Sequence, residues 1–127
     1  KPLLKDTLSK RLLTIFDDIN EVVKIHQPNI FVIEDIFYGK NVKSAMRLGQ
    51  ARGAAMVAAA SNRIPIYEYS ARKVKQSVTG NGNAHKDQVQ FMVKVRIGMD
   101  KLPEPIDASD ALAVALCHHQ QFKSMDL

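Results

Sequence analysis

Acidic residues are scarce across half of this 127-residue chain. Between positions 36 and 99 only Glu68 and Asp87 are acidic, against eleven Lys and Arg. The flanks differ: five basic and six acidic residues in 1–35, two and five in 100–127. A basic block between slightly acidic ends suits a polyanion such as nucleic acid, and a solvated positive face would carry the same charges. Cysteine is nearly absent as well. Cys117 alone excludes an internal disulfide framework and fits a reducing, cytoplasmic setting. No apolar run reaches the ~18–20 residues that span a bilayer, so no membrane partner is expected. Internal repeats and low-complexity tracts are also missing. With 46% hydrophobic and 24% charged residues, the composition describes one folded domain over 1–127 with a modest core.

Apolar periodicity then places the elements. Leu8, Leu12, Ile15/Phe16, Ile19 and Val22/Val23 recur at helical spacing, which predicts an amphipathic helix over 7–26. Asp6 or Thr7 can cap its start, and Pro28 enforces its end. Ile30–Ile33 is a continuous, partly β-branched run, as in a parallel strand covered on both faces. A long helix follows over 43–61, then a strand over 64–69 with Pro65 near its start or on an edge. A short basic helix over 70–78 carries Arg72, Lys73 and Lys75. The 79–84 segment, TGNGNA, reads as a flexible turn. Helices over 85–97 and 107–121 flank a loop at 100–105.

The order is α/β, with helices flanking a central sheet, yet only two good strands are visible. Two strands rarely make a stable sheet. The chain also enters its first helix almost at once and does not begin with Met. The expectation is therefore that sheet-forming residues are missing before Lys1; the alternative is a partner chain that completes the sheet. The 43–61 helix is built largely of Gly and Ala. Glycine in a helix interior costs about 1 kcal/mol against alanine, so close approach of another backbone is expected. That neighbour is the sheet, a second subunit, or both.

Carboxylates mark the candidate chemistry. Glu34 ends the first strand, where α/β sheets gather functional groups; a solvent-facing strand-end acid would look the same. Asp107 and Asp110 lie three apart on one helix face, both in its first turn. They also read as a cap with an acid behind it. Together the three could hold divalent cations, since Mg²⁺ prefers carboxylate oxygens and a pair of such ions serves phosphodiester hydrolysis. Other candidates are weaker. GNGNAHK, 80–86, lacks the glycine directly before lysine of a phosphate-binding loop and lies between helices, so it reads as a mobile loop that contacts a nucleic-acid backbone. His118 and His119 are helix neighbours and read as surface residues. Cys117 reads as packed, and Ser109 has no base to make it a nucleophile.

Three longer stretches carry a resemblance: VIEDIFYGKNVKSAMRLGQARGAA, YEYSARKVKQSVTGNGNAHKDQVQ and DASDALAVALCHH. In order, from about Leu8 to His119, they resemble the RuvC family of bacterial Holliday-junction resolvases. The resemblance implies an RNase H-like fold with a mixed central sheet, a homodimer, and symmetric paired nicks in a four-way DNA junction. It implies two Mg²⁺ per subunit, with Mn²⁺ able to substitute, and the RuvA–RuvB complex as a partner. Glu34, Asp107 and Asp110 match metal-binding catalytic acids, and Lys75 and Lys86 match lysines near the scissile phosphate. Phe37 matches an aromatic that reaches bases at the crossover; Lys40, Arg72 and Lys73 extend the DNA path. Asp35 is not among the family's catalytic acids. The family's leading strand, with the fourth carboxylate in GIDPG, has no match and would lie roughly 25–30 residues before Lys1. The expectation is that this chain, with three of four acids, cuts poorly. The rivals are a non-catalytic DNA-binding scaffold and another RNase H-like nuclease.

Overall fold

The computed structural model describes residues 7–35, 39 and 41–125. Asp6, Phe37 and Lys40 lie outside the described residues. The chain packs as two compact units, Lys1–Phe31 with Ile36–Tyr67, and Val32–Asp35 with Glu68–Leu127.

The first unit is a helix pair. Helix α1 (Leu8–His26) starts at Thr7, whose Oγ1 accepts the Lys10 amide at 3.4 Å. It stops at Gln27, which turns left-handed at φ 46° and returns its amide to the Val23 carbonyl at 2.8 Å. Pro28 cannot extend the ladder. Helix α2 (Val42–Ser61) is capped by Asn41, whose Oδ1 accepts from Ser44 N at 3.1 Å. At its far end Asn62 Nδ2 donates to Asn20 Oδ1 at 2.6 Å, which ties α2 to α1. The small residues serve burial, since Ala58 and Ala59 are fully covered. Gly53 departs from expectation: a methyl there would meet nothing within 4 Å among the described residues. Close backbone approach in this unit does not explain it.

Strand β1 (Phe31–Glu34) and strand β2 (Ile66–Tyr69) form a two-stranded sheet among the described residues. Phe31 N donates to the Pro65 carbonyl at 2.9 Å and Asp35 N to the Tyr69 carbonyl at 2.8 Å. The constant offset makes the pair parallel. β2 begins at Ile66 rather than at 64: the Ile64 amide is drawn to the Ala59 carbonyl at 3.1 Å, and Pro65 has no amide to offer.

Three helices complete the second unit: α3 (Ala71–Thr79), α4 (Lys86–Ile97) and α5 (Ile106–Met125). Ser70 caps α3, its Oγ accepting Lys73 N at 3.1 Å, and Gly80 ends it at φ 83°. His85 precedes α4 and donates its amide to Gln88 Oε1 at 3.2 Å. The core is Val74 and Val78 from α3, Val93 from α4, and Ala113, Val114 and Cys117 from α5. Burying a valine side chain contributes about 1.5–3 kcal/mol. Polar bonds run through this core. Cys117 Sγ donates to Ser77 Oγ at 3.3 Å, and Gln121 Nε2 reaches the same hydroxyl at 3.1 Å. Arg96, exposed on α4, borders it, donating to the Ser77 carbonyl at 3.1 Å and Gln120 Oε1 at 3.3 Å.

Two expectations change. His118 is not a surface residue: it is 8% exposed, and its Nδ1 lies 2.7 Å from the Tyr69 hydroxyl. Phe122 closes edge-on against the ring at 4.9 Å between centroids. The 79–84 turn is an organised structure rather than a loose one. Thr79 Oγ1 donates to the Lys75 carbonyl at 2.7 Å, Asn83 N to Asn81 Oδ1 at 2.9 Å, and Ala84 N to the Asn81 carbonyl at 3.1 Å. Ala84 itself is buried.

Candidate active site

β1 delivers Glu34 as its last residue, where the strand leaves the sheet. α3 delivers Lys75 one turn beyond its cap, α4 delivers Lys86 as its first residue, and α5 delivers Asp110 just past its first turn. All four line one cleft of about 260 Å³. Ala71, Val74, Val89 and Ala113 wall it with apolar surface. Lys86 Nζ sits 3.5 Å from Asp110 Oδ2.

The electrostatics favour a cation. Partial burial raises the Glu34 pKa above its ordinary 4.5, and the neighbouring charge of Asp110 raises it further. Lys75 and Lys86 pull in the opposite direction. Glu34, with the charge of Asp110 near it, supplies hard carboxylate oxygens where a divalent ion would relieve repulsion.

The other predicted residues fall elsewhere. Asp107 stands one turn before Asp110, exposed, and is not among the residues lining the cleft. No group of three His, Cys, Asp or Glu at metal-binding spacing occurs among the described residues. Lys73 is exposed on α3. Arg72 lies across Gly82, where an added Cβ would come within 2.9 Å of its Cγ, and its Nη1 donates to Asn83 Oδ1 at 2.5 Å. Its guanidinium therefore braces the turn that leads to Lys86. Ser109, between the two acids in sequence, is 1% exposed, and its Oγ has no hydrogen-bond partner among the described residues. The small walls at Ala71 and Ala113 gave no signal in the sequence, because alanine in a helix is unremarkable on its own.

The order of elements and the strand-end acid facing a helix-start acid define an RNase H-like α/β fold, and solved structures agree. The chain matches "Thermus thermophilus RuvC structure" with a TM-score of 0.89 and 31% identity, over 98% of this chain and 75% of that one. The same figures hold for "T. thermophilus RuvC in complex with Holliday junction substrate". The family profile "Crossover junction endodeoxyribonuclease RuvC" matches residues 3–118. Relatives of that description include one from Saccharophagus degradans, 53% identical over 89% of this chain and 65% of its own length. Another, from Idiomarina loihiensis, is 54% identical over 88% of this chain and 62% of its own. The chain belongs to the RuvC family of crossover junction endodeoxyribonucleases. It spans somewhat under two thirds of the length of these two relatives.

Proposed function

We propose that this chain forms most of the active site of a structure-specific endonuclease that resolves four-way DNA junctions by paired, symmetric nicks. The observation that carries the reading is the convergence of Glu34, Asp110, Lys75 and Lys86 on one cleft, in a chain of this family. Residues 1–127 act as one nuclease domain, in the cytoplasm, as a homodimer working with the RuvA–RuvB complex.

Glu34 and Asp110, with Asp107 contributing from the turn before, would hold two Mg²⁺ per subunit, or Mn²⁺ in their place. Such ions supply Lewis acidity at phosphorus and charge compensation for the leaving oxygen. The chain's own groups do the rest. Lys86 neutralises negative charge building on the phosphate, and its present partner Asp110 keeps it at the rim of the cleft. Lys75, half-buried on α3, meets the same phosphate from the other wall. Apolar walls at Val74 and Val89 thin the water around these charges and so strengthen each of them. Lys40, Arg72 and Lys73 guide the DNA backbone, and Phe37 stacks on a base near the crossover, worth ~1–3 kcal/mol.

The test is the intact protein with a labelled four-way junction, linear duplex and RNA–DNA hybrid, with and without Mg²⁺. Mg²⁺-dependent, paired nicks in the junction alone support the reading. Preference for the hybrid, or binding with no cutting, favours its rivals.

A further inference from the structure

A second groove lies on α4, outside the cleft. It measures about 410 Å³ and is lined by Thr79, Asn81, Asp87, Gln88, Phe91 and Met92. Its polar groups have settled roles. Asn81 Oδ1 accepts the Asn83 amide at 2.9 Å, and Gln88 Oε1 accepts the His85 amide at 3.2 Å. Backbone N–H groups can only donate, so each of these bonds fixes which way its amide faces and fills one of the two acceptor sites on the carbonyl. Each amide presents its –NH₂, a donor, beside the remaining acceptor site. Asp87 supplies the opposite function, acceptor oxygens, and makes no hydrogen bond or ion pair among the described residues. Phe91, 57% exposed, adds an aromatic ring, with Lys94 Nζ at 5.7 Å from its centroid. A helix start tolerates an aspartate for dipole reasons alone, but that does not account for an exposed aromatic ring beside it.

We infer that this groove receives an unpaired guanine base. Its lining offers two –NH₂ donors, one carboxylate and an aromatic ring. Guanine's Watson–Crick edge is the complement: O6 accepts from an amide, while N1–H and N2–H donate side by side to the two oxygens of Asp87. The base plane stacks on Phe91, an interaction open to any base; the carboxylate supplies the discrimination. Adenine and thymine lack the paired donors, and cytosine offers only its exocyclic amine to an acid. None of the six residues that line this groove is a cation, in contrast to the cleft, although Lys94 lies beside the Phe91 ring. The inference rests on nucleic acid being the protein's ligand, but not on the cutting reaction.

The experiment is NMR titration of the full chain, without metal, with the four deoxynucleoside monophosphates, which share their phosphate and differ only in base. The expected result is saturable dGMP binding that shifts the Asn81 and Gln88 side-chain amides and the Phe91 ring, about fivefold or more tighter than TMP. Phe91→Ala weakens it about tenfold. Asp87→Asn removes the preference for dGMP. Shifts confined to the surroundings of Lys75 and Lys86, equal affinity for all four nucleotides, or an unaltered preference in Asp87→Asn would overturn the inference. Junction cutting is read separately, so its failure would not be mistaken for failure of this groove.

Discussion

Lys86 Nζ rests 3.5 Å from Asp110 Oδ2, a cation of α4 on an acid of α5 at the mouth of the cleft that holds Glu34. Both side chains are more than 45% exposed, so the pair adds little to stability. Its value is in charge placement. Lys86→Met is expected to change unfolding free energy by under about 1 kcal/mol. Junction nicking should fall about 10²-fold or more, as when a transition-state donor is removed. Urea melts and single-turnover nicking check both halves. A large stability loss with normal nicking contradicts the assignment.

The Glu34 carboxyl gives a pH prediction with a definite sign. Its pKa is raised in the folded chain by burial first and Asp110 second. Folding is therefore unpenalised below its ordinary 4.5 and loses stability as pH rises through the folded value. Asp110→Asn removes one cause, so the Glu34 pKa should drop, followed by ¹³C carboxyl titration. Glu34→Gln should raise the melting temperature at neutral pH, with the gain vanishing in acid. A Glu34 pKa that stays unchanged in Asp110→Asn would place the two acids out of contact.

His118 earns its burial through Tyr69. Tyr69→Phe deletes the hydroxyl that sits 2.7 Å from Nδ1 and should cost about 1–2 kcal/mol in urea unfolding. An unchanged midpoint would mean that the bond is not made in solution.

Gly53 is open space among the described residues. Gly53→Ala should therefore stabilise the chain by about 0.5–1 kcal/mol, through helix propensity alone. Destabilisation, or loss of self-association in sedimentation, would show that another surface packs against α2 at that point.

Much of this was legible from residue chemistry. Thr7 marks a helix start because its side chain satisfies a backbone group locally, with no help from distant packing. Glu34 stood out because an acid interrupts a covered strand. The remainder depended on tertiary contacts. Asp107 and Asp110 are equivalent by spacing, and only the packing of α5 against its neighbours brings Asp110 alone to the cleft. Likewise His118 and His119 must point apart on a helix, but β2, arriving with Tyr69, decides which one is buried. The 79–84 turn looked loose because Gly and Asn are turn formers. Its order comes from bonds within the turn and from Arg72, eleven residues before its partner Asn83.

The most direct test is cutting of a four-way junction by the intact protein carrying Glu34→Gln or Asp110→Asn. The account predicts that either change lowers Mg²⁺-dependent nicking by about 10³-fold or more, while junction affinity stays within a few-fold. Nicking at the unsubstituted rate in either variant would contradict it.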